Sequence, residues 1–335
     1  MFLTDRHMPP ELIFTQALSY RKQLNPEEKR LLYSSQNGFE GEILYDKILD
    51  QTGHSNMLIF RDVYLGKERS GAQYDSIIIS GDEITVNEIK NYRGEYHYKD
   101  SRFVKNDSVL SENAYIQLDR AIGKLYGIFR EERLTVSISG KVVFPNDDFR
   151  LYSDDDSIWK KTVIRLDLKR YFRSFQNAFN TDYAGRLADL IQSRIIENPY
   201  FDKCADADSL QKGLYCGGCG SFELDKGRYH FTCQSCHTRE TKETHIVRAI
   251  SDYKFLFYKQ PMTCRSLMNL LGDCVDIRVV QRYLLKYCTI EKKGNETEYK
   301  FKYYDFEDAL KQAPSNGRYR NIKKGGQVQR EKSLG

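Results

Sequence analysis

Apolar and polar residues follow two different periods in the N-terminal part of the chain. Residues 112–129 carry apolar side chains three or four positions apart, which predicts an amphipathic helix whose core face is formed by Ile116, Leu118, Ile122, Leu125 and Ile128. Shorter runs rich in β-branched and aromatic residues predict strands at residues 56–64, 74–80, 84–90, 96–104 and 134–144. A small sheet with helices before and after it predicts an α/β domain.

The limits of this domain follow from helix signals and a break in the pattern. Asn25 and Pro26, followed by two glutamates, predict the N-terminus of a helix in a polar, helical leading segment. Residues 171–197 predict a closing helix, and the next stretch lacks a clear period. We therefore predict a first domain at residues 1–197 and a linker at residues 198–213.

The most informative pattern is a predicted hairpin. Two β-rich runs meet at Gly81-Asp82, and a Gly-X pair in that position predicts a two-residue type II′ turn. In that register Asp75 lies opposite Glu88, with Cβ atoms about 4.5–5.5 Å apart on one face of the sheet. Lys90 joins the same face because it lies two positions beyond Glu88. A three-residue turn would instead place the two acids on opposite faces.

Two neighbouring carboxylates beside an apolar patch repel one another unless a proton, a cation or a metal lies between them. Hard divalent cations prefer oxygen ligands, and Mg²⁺ typically uses one or two carboxylates together with substrate phosphate. We therefore predict that Asp75 and Glu88 bind a divalent metal. Lys90 would orient the attacking water or stabilise developing charge. The alternative is that Lys90 only neutralises the pair as a structural salt bridge.

Four of the 8 cysteines form two CxxC pairs separated by 13 residues, and such pairs place four thiolates around one tetrahedral Zn²⁺. The expected ligands are Cys216, Cys219, Cys233 and Cys236. The residues between the pairs predict a hairpin turning near Gly227, so we predict a structural zinc ribbon at residues 214–242. A redox dithiol is the competing interpretation, and His230 and His237 are alternative ligands if one cysteine does not bind.

The C-terminal pattern predicts helices at residues 244–258, 263–272 and 276–286, then a hairpin turning at Gly294-Asn295. This order resembles a winged helix-turn-helix, in which the second helix of the motif enters the major groove. We predict such a domain at residues 243–312. The exposed side of its second helix would offer Arg278, Gln281 and Arg282 to nucleic acid. Winged helices also mediate protein contacts, so a protein partner or a homodimer through this region is the alternative.

Composition and charge narrow the class of protein. Of 335 residues, 40% are hydrophobic and 30% charged, which excludes a wholly disordered chain. The formal net charge of +5 comes from residues 313–335, a predicted disordered basic tail that attracts phosphates weakly or serves only solubility. No apolar stretch approaches the roughly 18 residues of a membrane span. We see no secretory signal, so we expect a cytoplasmic protein without membrane contact.

The residues around the hairpin carry a resemblance to a known family. Asp75, followed after 12 residues by Glu88-Ile-Lys90, has the form of the PD-(D/E)xK nuclease core. The surroundings resemble one branch of that superfamily, the nuclease-related domain (NERD). Its motifs are matched by Gly38-Phe-Glu-Gly41-Glu42, Gln73-Tyr-Asp75, Glu88-Ile-Lys90-Asn-Tyr-Arg-Gly94, Asn113-Ala-Tyr-Ile-Gln117 and Val142-Val-Phe-Pro145. Two positions depart from the family pattern, since Ser76 replaces the usual His and Asn87 an apolar residue.

The resemblance implies a restriction-endonuclease-like core, with a central mixed sheet flanked by helices, and hydrolysis of phosphodiester bonds with Mg²⁺ or Mn²⁺. By matching position it implies metal ligation by Asp75 and Glu88, a catalytic Lys90, a supporting acid at Glu42 and a contribution from Gln117. An acid in the first turn of a helix is also favoured by the helix dipole alone, which is the alternative for Glu42.

We therefore predict a metal-dependent nuclease that a zinc ribbon and a winged helix position on nucleic acid, with DNA as the expected polymer. A role in DNA repair or in defence against foreign DNA would fit this class. One rival interpretation is a non-catalytic nucleic-acid-binding or scaffold protein that retains the nuclease fold. Another is an enzyme directed at RNA, because fold alone does not decide function.

Overall fold

The structure is a computed structural model that describes residues 1–67, 71–178, 181–293 and 296–312. In these ranges the helices are α1 (Pro10–Arg21), α2 (Pro26–Thr52), α3 (Ala114–Glu131), α4 (Asp156–Lys161), α5 (Leu168–Ser174), α6 (Asp182–Ser193), α7 (Lys242–Leu256), α8 (Cys264–Leu271), α9 (Ile277–Tyr287) and α10 (Phe306–Gln312). The strands are β1 (Leu58–Leu65), β2 (Ala72–Ser80), β3 (Glu83–Ile89), β4 (Gly94–Lys99), β5 (Arg102–Lys105), β6 (Ser108–Val109), β7 (Ser137–Phe144), β8 (Phe149–Tyr152), β9 (Thr162–Ile164), β10 (Ile195–Ile196), β11 (Leu224–Lys226), β12 (His230–Cys233), β13 (Arg239–Thr241), β14 (Cys288–Lys293) and β15 (Glu296–Phe301). The predicted turn at Gly294-Asn295 and the predicted tail lie outside the described residues.

The chain forms two compact units. The first contains Met1–Met8 and Tyr33–Phe201, and the second contains Pro9–Leu32 and the chain from Asp202 onward. Residues 9–32 were predicted as part of the first domain, and this limit was wrong, because α1 packs against α7 within the second unit. A helical period shows that one face of a helix is buried, but it does not show which core buries that face.

A six-stranded sheet in the order β10-β1-β2-β3-β7-β9 forms the centre of the first unit. Strands β1, β2 and β3 are antiparallel, whereas β3, β7 and β9 run parallel, so the sheet is mixed. A second sheet of β6, β5, β4 and β8 belongs to the same unit. Helices α3 and α6 contribute to the apolar core on one face of the large sheet, and α2 and α5 to the core on the other. This arrangement confirms the predicted α/β class.

Two helix predictions in this unit need correction. The core face of α3 does not include Ile116, which is 45% exposed; the buried residues are Ala114, Tyr115, Leu118, Ala121, Leu125 and Phe129. Residues 171–197 form no single helix but the end of α5, the separate helix α6 and the short strand β10. In both cases the spacing of apolar residues along the chain fits more than one arrangement of the helix, and packing against the large sheet decides which arrangement forms.

The second unit contains the three-stranded sheet β11-β12-β13, helices α7 to α10 and the hairpin β14–β15, together with α1. The two short helices and the hairpin occur in the predicted order. Asp276 caps the N-terminus of α9, because its side chain accepts a hydrogen bond from the Arg278 amide at 2.8 Å. Across the described ranges, no helix has both the length and the apolar character needed to cross a bilayer.

Candidate active site

The β2–β3 hairpin places the two predicted acids at its open end. Its register confirms the two-residue turn at Gly81, whose φ is 62°. A positive φ at the first turn position is what a type II′ turn requires, and glycine adopts it without a steric penalty. The last backbone pair is Ser76 with Asn87, so Asp75 and Glu88 occupy the next position of their strands.

Beyond Ser76 and Asn87, the Asp75 side chain takes the place of the backbone pairing between β2 and β3. Its Oδ2 accepts a hydrogen bond at 2.8 Å from the amide of Ile89, a donor that continued pairing would have directed at a backbone carbonyl. The Asp75 carbonyl accepts a second hydrogen bond, at 2.9 Å, from Nη2 of Arg6. The carboxylate is therefore held where the pairing of β2 with β3 ends, next to the residue that precedes Lys90.

Glu88 and Lys90 form an ion pair with an Oε1–Nζ distance of 2.9 Å, and less than a fifth of either side chain is exposed. Burial, and then the neighbouring charge of Asp75, raises the pKa of Glu88 to about 7. Burial opposes the charge of Lys90, but the attraction of Glu88 and Asp75 outweighs it and raises the pKa of the ammonium group. Glu88 is therefore easily protonated, whereas Lys90 stays charged.

Glu42 lies in the middle of α2, sixteen residues after Pro26, so the helix-dipole explanation for this acid was wrong. It forms an ion pair with Arg6 at 2.6 Å, and the same guanidinium contacts Asp46 at 2.8 Å. Only 1% of the Arg6 side chain is exposed. Burial raises the pKa of Glu42 to about 8, with Arg6 opposing the rise and Asp75 adding to it. Arg6 is thus the buried cation of this acidic cluster.

Gln117 lies on α3, near a helix start capped by the Asn113 side chain. Its Nε2 donates a hydrogen bond to Glu112 at 3.2 Å. Its Oε1 is buried and has no hydrogen-bond partner among the described protein atoms. A buried carbonyl oxygen without a donor costs free energy, and such a group needs an explanation, for instance a bound ion or water.

Asn91 connects the strand end that carries Lys90 to two other elements. Its Nδ2 donates to the Asn37 carbonyl on α2 at 2.7 Å, and its Oδ1 accepts from Asn146 at 2.9 Å. Gly41 allows this close approach, because a Cβ added there would overlap the Asn91 side chain. Asn91 belongs to the Glu-x-Lys-Asn motif and Gly41 to the motif Gly38-Phe-Glu-Gly41-Glu42, but neither motif predicts that these two residues are in contact.

One cavity of about 710 Å³ brings the predicted residues of the first unit together. Its lining includes Glu42, Asp75, Glu88, Lys90 and Gln117. The three carboxylates do not form a tight ligand cluster; among the residues that the structure describes, only four cysteines offer three or more potential ligand atoms within 4.8 Å of one another. The cavity therefore brings oxygen donors together with the Lys90 ammonium group, and its acids Glu42 and Glu88 are held by Arg6 and Lys90, respectively.

The cysteine quartet lies in the second unit and has the geometry of a four-thiolate metal site. The Sγ atoms of Cys216 and Cys236, and those of Cys219 and Cys233, lie 3.5 Å apart. Zn–S bonds of about 2.3 Å in a tetrahedron place sulfur atoms about 3.8 Å apart, so the quartet is compatible with zinc and with a zinc ribbon. His230 and His237 do not belong to this cluster of described ligand atoms.

A buried ion pair supports the first cysteine knuckle, and no sequence signal pointed to it. Glu240 pairs with Arg248, and its Oε2 accepts a hydrogen bond from the Gly217 amide at 2.9 Å. A Cβ at Gly217 would overlap the Arg248 guanidinium, so glycine is required there by space. The pair connects the knuckle to α7, which carries Arg248.

The three residues predicted to contact nucleic acid, Arg278, Gln281 and Arg282, are all exposed on α9. They lie in the second unit, whereas the carboxylate cavity lies in the first. The structure thus separates the predicted site residues into a carboxylate cavity, a cysteine quartet and an exposed helix face.

Comparison with protein families assigns a class to the first unit. The family model described as nuclease-related domain matches residues 37–145, a range that contains all five predicted residues of the cavity. The match covers roughly a third of the chain. Neither the comparison with curated proteins nor that with solved structures found a match.

This assignment carries general consequences. The mixed sheet with flanking helices fits a restriction-endonuclease-like core. A nuclease-related domain suggests a nuclease-related function, implies binding of nucleic acid and suggests a divalent metal.

Proposed function

We propose that the protein is a metal-dependent nuclease that hydrolyses phosphodiester bonds of nucleic acid, with DNA as its polymer. The observation that carries this proposal is the shared cavity of Asp75, Glu88 and Lys90 at the open end of the hairpin. The match of residues 37–145 to the nuclease-related domain supports the same reaction class.

The donors in the cavity suit Mg²⁺ or Mn²⁺. Asp75 and Glu88 supply carboxylate oxygens, the ligands that hard divalent cations prefer. The raised pKa of Glu88 reflects a buried acid beside another acid, a situation that a divalent charge relieves. The unpartnered Oε1 of Gln117 offers a further oxygen in the same cavity. A bound divalent ion would supply two effects, a lowered pKa of a coordinated water and stabilisation of charge on the phosphate.

The side chains of the protein supply the remaining functions. Lys90 stays protonated, so it serves as a donor to the attacking water or to a phosphate oxygen rather than as a base. To do so, Lys90 must break its ion pair with Glu88 and contact the substrate instead. Glu42 is the supporting acid, and Arg6 holds its carboxylate in place.

The second unit would position the enzyme on its substrate. We propose a structural zinc ribbon at residues 214–242 and a winged-helix-like part at residues 243–312, joined to the nuclease part through residues 198–213. Arg278, Gln281 and Arg282 are exposed on α9, so they are available for contacts with nucleic acid.

A non-catalytic nucleic-acid-binding protein is the second candidate, because one observation favours it. The Lys90–Glu88 ion pair already neutralises one acid of the pair, which is what a structural salt bridge would do. The two candidates differ in one measurable property, the turnover of substrate with metal.

The test is cleavage of plasmid, single-stranded DNA and RNA by the full chain with Mg²⁺, Mn²⁺ or EDTA. Asp75→Asn, Glu88→Gln and Lys90→Ala are each expected to lower the rate about 100-fold or more. Glu83→Gln is the control, since Glu83 is an exposed acid at the other end of β3. Cleavage that persists in EDTA or in Asp75→Asn would exclude the mechanism. Binding of nucleic acid without any cleavage would favour the non-catalytic candidate. Preferential cleavage of RNA would show that RNA, and not DNA, is the substrate.

A further inference from the structure

The cavity of the carboxylates has a second group of lining residues that its chemistry does not use. Tyr33, Arg120 and Lys124 lie in the same lining as Asp75 and Glu88. Two of them are cations and one is an aromatic ring, a combination that binds the backbone and the bases of nucleic acid.

Tyr33 is the aromatic member of this group. It lies on α2 and is 71% exposed, so most of its ring surface is open to a ligand. Asn37, which follows one turn later, donates a hydrogen bond to the Asn91 carbonyl at 3.0 Å. Tyr33 therefore lies about 6 Å along the helix axis from a residue that is fixed next to Lys90.

The two cations lie on α3, on the face that begins with Gln117. Gln117, Arg120 and Lys124 are three and four residues apart, a spacing that places them on one side of a helix. Arg120 and Lys124 are exposed, and Nζ of Lys124 donates to the Gly71 carbonyl at 3.0 Å. That contact keeps the ammonium group near the start of β2, the strand that carries Asp75.

We propose that this wall binds a single-stranded segment of nucleic acid, with Arg120 and Lys124 contacting phosphates beside the bond to be cut and Tyr33 stacking on an unpaired base. The inference rests on the proposed function and adds the form of its substrate. Stacking requires a base that is not enclosed in a duplex, and an aromatic ring at the cavity selects such a base without reading its identity.

The test is equilibrium binding of a fluorescent single-stranded oligonucleotide, DNA or RNA, and of a duplex of the same sequence, by the full chain in EDTA. Tyr33→Ala is expected to weaken single-strand binding about 5- to 100-fold, whereas Tyr33→Phe stays within about twofold of wild type. Tyr152→Ala is the matched control, because Tyr152 is a 47% exposed tyrosine of the same unit outside this cavity.

The cations are tested by the salt dependence of binding. Arg120→Ala and Lys124→Ala are each expected to reduce the slope of log K against log[salt] by about 0.7 for a single strand. Arg130→Ala, an exposed arginine on the last turn of α3, should leave the slope unchanged. Thermal unfolding of each variant shows whether the loss of the Lys124–Gly71 contact disturbs the fold.

The outcomes separate this inference from the proposed function. Unchanged binding in Tyr33→Ala, an equal loss for duplex and single strand, or no binding of any oligonucleotide would overturn the inference, even if Asp75→Asn abolishes cleavage. If the Tyr33 and Arg120 variants weaken binding as expected but wild type cleaves nothing, the single-strand binding of this wall stands, whereas the proposed hydrolysis and the placement of the cations beside a bond to be cut do not.

Discussion

Arg6 is a buried cation that two acids of the first unit share. Its guanidinium contacts Glu42 and Asp46 and donates to the Asp75 carbonyl, with almost none of its side chain exposed. Arg6 lies outside the matched range of 37–145, so the matched residues do not include every cation that balances the acids of the cavity.

Replacement of Arg6 by Ala should lower the free energy of unfolding by about 3–5 kcal/mol, because it leaves the buried carboxylate of Glu42 without its cation, while Asp46 keeps its contact with Arg61. The measurement is urea denaturation, with Arg102→Ala, an exposed arginine on β5, as the control. The double variant Arg6→Ala with Glu42→Gln should recover part of the loss, because it removes the carboxylate that has lost its cation. A loss in Arg6→Ala no larger than that in Arg102→Ala would contradict this account.

The raised pKa of Glu88 predicts how the stability of the folded protein depends on pH. In EDTA, the stability of wild type relative to Glu88→Gln should fall as the pH rises from about 4.5 to about 7. Burial and the charge of Asp75 raise the pKa of Glu88 to about 7 from an ordinary 4.5, so the folded protein keeps a proton that the unfolded chain has released. Low pH favours the state that binds more protons, so the folded protein loses stability as the pH rises through this range.

Thermal unfolding of wild type, Glu88→Gln and the control Glu83→Gln across this pH range provides the measurement. The difference between wild type and Glu88→Gln should shrink or reverse toward neutral pH, whereas the difference for Glu83→Gln should not follow that course. A constant difference for Glu88→Gln would show that the folded protein does not hold this proton.

At the scale of elements, α2 crosses the strand end after β3 so closely that one of its glycines has no room for a methyl group. Gly41 faces Asn91, whereas an added Cβ at Gly38 would meet nothing within 4 Å. The two glycines lie three residues apart in the interior of one helix, so they form a matched pair.

Gly38→Ala should raise the free energy of unfolding by up to about 1 kcal/mol, because alanine favours the helical backbone. Gly41→Ala should lower it by about 1–3 kcal/mol, since the overlap with Asn91 outweighs the gain in helix propensity. Chemical denaturation of both variants tests the opposite signs. Two stabilised variants would mean that α2 and Asn91 are not in close contact.

At the scale of the whole molecule, the chain has two units with different sources of stability. The large sheet of the first unit is enclosed by apolar cores on both faces. The sheet around the cysteine quartet has three strands of only three or four residues each. A bound metal ion provides stability in small domains.

We therefore expect the purified chain to hold about one zinc ion, and Cys219→Ser to lose it and to unfold at a lower temperature. Cys204→Ser is the control, because Cys204 is an exposed cysteine outside the quartet. Metal analysis and thermal unfolding before and after chelation measure both effects. Full stability without zinc, accompanied by oxidation of the four thiols, would support the redox interpretation.

Short-range patterns predicted several features of both units. The turn at Gly81 fixes the hairpin register through two residues, so the placement of Asp75 and Glu88 followed from a few consecutive positions. The CxxC spacing likewise predicted the cysteine quartet, because a knuckle is a local structure. The amphipathic period predicted α3 to within two residues at each end, but it included Ile116 in the core.

The remaining features depend on contacts between distant parts of the chain. Arg6 reaches Glu42 and Asp75 across many residues, and no local period specifies such a contact. The same holds for the Asn37–Asn91–Asn146 connection and for the packing of residues 9–32 into the second unit. The sequence by itself determined the secondary structure around the site, the turn and the identity of the candidate metal ligands, because these follow from neighbouring residues. Only the tertiary structure decided which cation balances each buried acid and which core each helix enters, since both depend on desolvation and close packing that arise when distant segments meet.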